Sequence, residues 1–374
     1  MNEIKKIRVG ITGQSGFIGS NLFNFLGTKK DEIERVEFKD EYFYDDRLVK
    51  FVSACDVIVH LAGVNRSADS NILYKTNIDL VQRLINATEE INYYPHIIFS
   101  SSTQEQRDNV YGRSKYDGRK IFEDWAKRHN SVFSGLILPN VFGPFGKPYF
   151  NSFIATFCYQ LTHNENPKIE TDDTIKLIYV ADVAEYIYNI LSEKKSITHY
   201  VAYITEKKVS EILELLGYYK EIYLCNNIIP GLADHFEISL FNTFRSFVDY
   251  DRYKVKIKKH TDARGYLVEN IKEYTGGQTF SSVTLPGITR GNHFHTRKIE
   301  RFCVLQGEGV IKLRKVGTEE IVEIHVSGND PSTIDIPIWH THNITNTGNS
   351  NMLTLFWSNE IFNPDNSDTF FEEV

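Results

Sequence analysis

Ile7-Arg8-Val9-Gly10-Ile11-Thr12 runs directly into Gly13-Gln14-Ser15-Gly16-Phe17-Ile18-Gly19, and the reading of this stretch decides the fold. The first six residues read as a buried strand, and the next seven open an amphipathic helix that continues through Gly27. Glycines three apart at a strand-to-helix turn let the backbone close on a pyrophosphate, whose charge is then favoured by the helix N-terminus. Because this is the first turn of the first strand, it predicts a parallel α/β sheet with a dinucleotide held at Gly13, Ser15, Gly16, Phe17, Ile18 and Gly19.

The chain has 374 residues, enough for two or three domains with separate cores. With 41% hydrophobic and 24% charged residues it has an ordinary globular balance, and a net charge of -7 argues against a general nucleic-acid or anionic-membrane surface. Cys55, Cys158, Cys225 and Cys303 lie far apart and read as reduced thiols of a cytoplasmic protein. Residues 1–6 hold no apolar leader segment, and no later apolar run approaches the roughly 20 residues that span a bilayer.

Outward from the glycine turn, a second strand near residues 35–38 ends in Lys39 and Asp40, where the adenosine ribose would be read. An acid there accepts the 2′-hydroxyl of NAD and a base meets the 2′-phosphate of NADP, so the sequence leaves both open. A helix over 45–54 leads to the apolar strand Asp56-Val57-Ile58-Val59-His60, whose small-residue end Leu61-Ala62-Gly63 lets a nicotinamide nucleotide lie close. Asn77 is either a backbone-binding asparagine or a solvated helix residue. A further strand over 96–99 runs into Ser100-Ser101-Ser102-Thr103 and brings the Ser102 hydroxyl to the crevice at the C-terminal end of the sheet. In Asn109-Val110-Tyr111-Gly112-Arg113-Ser114-Lys115 a phenol and an ammonium stand four residues apart on one helix face. A solvated face supplies such a pair by chance, but beside Ser102 it makes Tyr111 a candidate general acid with Lys115 as its partner.

Glycine turn, Leu61-Ala62-Gly63, serine-rich strand end and Tyr-x-x-x-Lys together resemble an extended short-chain dehydrogenase/reductase, whose fold is a Rossmann-type doubly wound parallel sheet. Leu138-Pro139-Asn140-Val141-Phe142-Gly143-Pro144 and Ile178-Tyr179-Val180-Ala181-Asp182-Val183 carry the resemblance to about residue 190, and are similar to segments that shape the sugar site of nucleotide-sugar members. The resemblance implies Ser102, Tyr111 and Lys115 as catalytic residues. It implies further cofactor contacts at Lys39, Leu61, Ala62, Gly63, Tyr111, Lys115 and Asn140. An arginine often found before the Pro-Asn-Val segment is Ile137 here. Between about residues 192 and 245 the signal is thin: 209–216 reads as a short helix, and 226–244 mixes aromatic residues, Pro230 and Gly231 without a clear period.

From residue 246 the pattern changes to short β runs with turns between them, which predicts a barrel or sandwich. Gly287-x5-His293-x-His295-x4-Glu300-x6-Gly307 and Pro337-Ile338-Trp339-His340-Thr341-His342-Asn343-Ile344-Thr345-Asn346 stand out in it. Alternate strand residues share a face, so His293 and His295 point together and Glu300 can return on the partner strand. With a third distant imidazole this is a first shell for zinc or another divalent ion. The spacing resembles the two cupin motifs, an all-β double-stranded β-helix or jelly roll. The second motif places the fourth ligand at His342 rather than His340, with Trp339 where the motif has glycine. Asp262-Ala263-Arg264-Gly265-Tyr266-Leu267 and Arg290-Gly291-Asn292-His293 resemble segments of cupin-fold 3,5-epimerases acting on nucleotide 4-keto sugars. The histidine that is the base in those enzymes falls on His293, already a metal candidate, so the base is unassigned. Arg264 and Arg290 are candidates to face a pyrophosphate or are surface arginines.

A reductase at 1–245 joined to a metal-binding cupin at 246–374 resembles, along almost its whole length, the bifunctional capsular-polysaccharide enzymes of the CapF (WbjC) family. The resemblance implies a UDP-2-acetamido-2,6-dideoxy-hexos-4-ulose substrate, a UDP-linked 4-keto-6-deoxy N-acetylhexosamine. It would be epimerised at C-3 in a Zn2+-bearing cupin and reduced at C-4 by NADPH, giving UDP-2-acetamido-2,6-dideoxy-talose for N-acetyl-L-fucosamine synthesis. It also implies a homodimer through the cupin. The rival readings are a simple nucleotide-sugar reductase whose cupin is a structural dimerisation and sugar-binding module, and a silent reductase that senses NADP(H).

Overall fold

The computed structural model describes residues 5–374 except 68, 258, 263–264, 269–270, 272–276 and 361, and of 259–262 and 265–268 the backbone alone. By packing, the chain divides into two compact units, Met1–Ser152 with Asp173–Lys208, and Phe153–Asp172 with Val209–Val374. Among the described residues no helix is long and apolar enough to cross a membrane. All four cysteines are unpaired.

The first unit alternates strand and helix through β1 (Ile7–Thr12), α1 (Phe17–Gly27), β2 (Ile33–Val36), α2 (Arg47–Ala54), β3 (Val57–His60), α3 (Ser70–Glu90), β4 (His96–Ser102), α4 (Val110–His129), β5 (Phe133–Leu138) and β6 (Asn140–Phe142). After α5 (Phe153–Thr162), which packs in the second unit, it resumes with β7 (Thr174–Tyr179), α6 (Val180–Ile190), β8 (Ile197–Tyr200) and β9 (Thr205–Lys208). Six parallel strands lie in the order β2-β1-β3-β4-β5-β8, so the winding reverses between β1 and β3 and opens a crevice at their C-terminal ends. The central strands β3, β4 and β5 are buried along almost their whole length because helices cover both faces, and most of their residues are apolar. Ile58, Ile97 and Phe99 point to one core with Leu84, Phe122 and Trp125, while Val57, Val59 and Ile98 point to another with Leu22, Leu26 and Ile187.

The second strand is displaced from its expected place at 35–38. It ends at Val36, Phe38 drops into the core beside Phe43 and Phe51, and the Phe38 N–H donates to the Gln14 side chain at 3.1 Å. Lys39 then starts a 3-10 turn over Asp40–Tyr44. Apolar character at Phe38 marked core rather than strand.

The second unit contains α5, α7 (Val209–Tyr219) and α8 (His235–Arg245), followed by twelve strands among the described residues: β10 (Lys254–Lys256), β11 (Lys259–Asp262), β12 (Gly265–Val268), β13 (Gln278–Thr284), β14 (Thr289–Phe294), β15 (Glu300–Gln306), β16 (Glu308–Lys315), β17 (Ile321–Ser327), β18 (Ser332–Ile336), β19 (His340–Asn346), β20 (Met352–Ser358) and β21 (Phe370–Phe371). Helix α8 lies where the sequence has no period. Phe236 and every residue from Ser239 to Arg245 are buried, so no polar face interrupts the pattern. Two five-stranded antiparallel sheets, β10-β18-β15-β20-β13 and β17-β16-β19-β14-β21, share one core in the cupin-like manner. Phe302, Ile334 and Phe356 from the first meet Ile311, Leu313 and Ile344 from the second.

Glu300 opens β15, which belongs to the sheet facing β14 rather than the strand beside it. The two sheets therefore bring histidines and carboxylate together across the barrel. Trp339 keeps the turn that glycine would make: its φ is +57°, in the left-handed region that glycine favours.

Candidate functional site

At the crevice of the first unit, Gly13 adopts φ +69°, and a Cβ there would meet the Ala62 backbone at 2.8 Å. The Gly16 N–H closes on the Gly13 carbonyl at 3.0 Å, and α1 starts with no side-chain cap and no acid in its first turn. Ser15, Gly16, Phe17, Ile18 and Gly19 thus surround an uncapped helix N-terminus, which fits the diphosphate of a dinucleotide. Lys39 and Asp40 are both exposed after β2, and the Ser15 hydroxyl donates to Asp40 at 3.4 Å. Opposite, the Leu61 and Ala62 N–H groups donate to the Thr12 carbonyl (3.1 Å) and hydroxyl (3.4 Å). Asn77 is buried and binds backbone: its amide brackets Val64, accepting from the N–H at 2.7 Å and donating to the carbonyl at 2.9 Å. That fixes the strand end containing Leu61, Ala62 and Gly63.

Ser102 caps the 3-10 turn Thr103–Gln106, its oxygen accepting from the Gln104 N–H at 3.2 Å and its hydrogen left to donate. The turn is held from below by Glu105, which takes the buried Arg119 guanidinium at 2.9 and 2.6 Å and the Ser101 hydroxyl. Helix α4 begins at Asn109, whose side chain accepts from the Gly112 N–H at 2.7 Å, so Tyr111 lies in the first turn. One turn on, Lys115 is buried with its ammonium 5.0 Å from the Phe99 ring centre and 5.9 Å from that of Tyr111. Burial pushes the Tyr111 phenol up to about 12 and the Lys115 ammonium down to about 8, the latter against the opposing charge of Glu105. Asn140 starts β6 and is exposed.

In the second unit His293, His295, Glu300 and His342 bring one ligand atom each within 4.8 Å of the others. His295 Nε2 meets Glu300 Oε2 at 2.9 Å and its Nδ1 meets the Asp368 carbonyl at 2.5 Å. His342 directs Nδ1 to the His340 carbonyl at 3.1 Å, leaving a buried Nε2 without a hydrogen-bond partner 3.5 Å from Glu300. Backbone acceptors on Nδ1 turn Nε2 toward the cluster in both rings. His340 is committed elsewhere, with Nδ1 on the Ile338 carbonyl at 2.9 Å and Nε2 on the Tyr250 hydroxyl at 2.6 Å. Burial and the neighbouring imidazoles of His342 and His295 push His293 down to about 3. Burial works to raise Glu300, but His295 and His342 hold it well below the carboxylate range. Burial works to lower His295, and Glu300 raises it. A proton shared between imidazole and carboxylate, with two further imidazoles alongside, is a donor set in which a divalent cation can replace the proton. The four residues line a cavity of about 360 Å³ together with Arg290 and Lys298. Arg264 lies outside the described residues.

The UDP-2-acetamido-2,6-beta-L-arabino-hexul-4-ose reductase of Pseudomonas aeruginosa is 30% identical over 371 residues, covering 97% of this chain and 98% of that protein. The crystal structure of the capsular polysaccharide assembling protein CapF from Staphylococcus aureus matches 98% of this chain and 100% of its own at 32% identity, with a TM-score of 0.63. RMD from Pseudomonas aeruginosa complexed with NADPH is 19% identical over 58% of this chain and 82% of its own, with a TM-score of 0.53, a likeness of fold alone. Residues 9–204 match the NAD dependent epimerase/dehydratase family. The chain belongs to that family. Residues 260–370 match the polysaccharide biosynthesis C-terminal domain, so the similarity to CapF runs from end to end.

In this epimerase/dehydratase-family chain, several supporting residues escaped the sequence reading. The Arg119–Glu105 pair under Ser102 joins positions 14 apart and has no motif. The Thr12 hydroxyl bonds the buried His60 ring at 2.7 Å across neighbouring strands, and the signal available was only that each polar residue interrupts an apolar strand.

Proposed function

We propose that the chain is a bifunctional nucleotide-sugar enzyme: residues 246–374, the cupin, epimerise a UDP-2-acetamido-2,6-dideoxy-hexos-4-ulose at C-3, and residues 1–245 reduce its C-4 ketone with NADPH. The product is UDP-2-acetamido-2,6-dideoxy-talose, for surface polysaccharide in the cytoplasm of a bacterium, and the working form is a homodimer through the cupin. The observation that carries this reading over a simple reductase is that the four candidate ligands line a cavity instead of being closed off from it. A purely structural zinc site is closed.

NADPH, when bound across the glycine turn and Leu61-Ala62-Gly63, supplies the hydride for C-4. Tyr111 is neutral at working pH and gives its proton to the C-4 oxygen as charge grows there. The Lys115 ammonium, one helical turn away, favours that loss, and the Ser102 hydroxyl donates to the same oxygen. A zinc ion at His293, His295, Glu300 and His342 would supply a positive charge that acidifies the C-3 proton of a 4-keto sugar. Arg290 and Lys298 add positive charge to the cavity wall, suited to a diphosphate or an enolate oxygen. Incubation with UDP-2-acetamido-2,6-dideoxy-hexos-4-ulose and NADPH, followed by NMR, is expected to give the C-3-inverted, C-4-reduced sugar. A reduced product with unchanged C-3 configuration would leave the reductase alone standing.

A further inference from the structure

Asp368 is a tail residue in a conformation that needs support. Its φ is +46°, a region that most L-residues avoid, although Asp tolerates it better than most. It is nonetheless buried, and its carboxylate is fully engaged. It accepts the N–H groups of Thr296 at 3.1 Å, Arg297 at 2.9 Å and Lys298 at 2.9 Å, and the Thr296 hydroxyl at 2.6 Å. These three residues lie in the turn that separates His295 from Glu300. The carbonyl of the same Asp368 meets His295 Nδ1 at 2.5 Å. One residue therefore grips the turn with its side chain and orients an imidazole with its backbone. The residues after it are zipped to the ligand strand: Phe371 pairs with His293 and Phe370 with Phe294, and the Glu372 N–H donates to the Asn292 carbonyl at 3.0 Å. Thr369 adds a contact to the Lys298 ammonium at 3.3 Å on the cavity wall.

We propose that the C-terminal tail is part of the metal centre, with Asp368 the positioning residue that fixes the Nδ1–H tautomer of His295 and the spacing of His295 from Glu300, and so sets the affinity for a divalent cation. This rests on the metal reading above. An imidazole held by an acceptor on Nδ1 presents its Nε2 lone pair in a fixed direction, and loss of such outer partners typically costs about 10–100-fold in metal affinity. Without the carboxylate the 296–298 turn no longer holds residue 368 in its left-handed conformation, and its carbonyl drifts from His295.

The test compares full-length wild type with Asp368→Ala, Asp368→Asn and Thr296→Val, measuring zinc dissociation constants by chelator competition and the melting of each metal-stripped protein. Zinc binding is expected to weaken about 10–100-fold in Asp368→Ala and less in Asp368→Asn, which retains one acceptor oxygen. Thr296→Val, which removes only one hydrogen bond to the carboxylate, should lose a smaller part. If Asp368→Ala binds zinc as tightly as wild type and its stripped form merely melts lower, Asp368 only ties down the tail and the inference is overturned while the metal reading stands. Wild type that takes up no divalent cation would overturn both. Should Asp368→Ala not fold, Thr296→Val carries the comparison, and an unchanged affinity there overturns the inference.

Discussion

Lys115 keeps an ammonium where the surroundings disfavour it. Burial lowers it from 10.5 to about 8, while in the unfolded chain it keeps the ordinary lysine value. Between about pH 8 and 10.5 the unfolded chain therefore binds more protons than the folded one, and the stability tied to this residue rises with pH across that window. At neutral pH the penalty reaches up to about 3 kcal/mol. Lys115→Met is expected to raise the melting temperature at pH 7, with its advantage over wild type shrinking toward pH 10.5, while reduction is lost. A variant that melts below wild type at pH 7 would mean that partners satisfy the ammonium and that burial is not the governing effect. The spacing from Tyr111 to Lys115 was legible because helix periodicity is local. Its burial against Phe99 was not, because that depends on how α4 lies on β4. Asp368 was invisible for the same reason at greater range, meeting His295 across 73 positions.

The turn before β19 joins local conformation to the candidate metal ligands. The Trp339 N–H donates to the His295 carbonyl at 2.7 Å and the Trp339 carbonyl accepts from the Val316 N–H at 2.9 Å, so the turn holds the backbone of a candidate ligand. Its indole is buried and stacked on Phe294 at 5.4 Å. Replacing it by glycine relieves about 1–2 kcal/mol of backbone strain but gives up about 3–5 kcal/mol of burial, so burial wins. Trp339→Gly is expected to lose roughly 2–3 kcal/mol, and Trp339→Ala about 1 kcal/mol more because alanine keeps the strain. Denaturant unfolding ranks the three proteins; alanine as stable as glycine would show that the left-handed backbone is not retained. At the scale of elements, the glycine turn, the Tyr-bearing helix and the change to β structure were all legible, since each has a period or a turn signature. Helix α8 was not, being buried nearly all round, and Glu300 was placed on a neighbouring strand because two-residue periodicity says which face a residue takes but not which sheet its strand joins.

Across the whole molecule, two sets of candidate site residues each lie within one compact unit. Ser102, Tyr111 and Lys115 lie in the first, and His293, His295, Glu300 and His342 in the second. If each is a catalytic site, the two reactions separate by mutation. Loss of a C-3 proton needs a base and a stabilised enolate but no hydride, so Tyr111→Phe should still exchange that proton with solvent while reduction falls about 10²-fold or more. His295→Ala should lose the exchange, because Glu300 then keeps a buried charge without its nearest partner and the ligand set is broken. That variant should still reduce the unepimerised ketone slowly, since the glycine turn and Tyr111 are untouched and only the sugar's configuration is unfavourable. Deuterium incorporation at C-3, followed by NMR in heavy water without NADPH, reads the two sites apart. Exchange that survives in His295→Ala but disappears in Tyr111→Phe would place the enolisation in the first unit, and the histidine cluster would then be a scaffold for the fold.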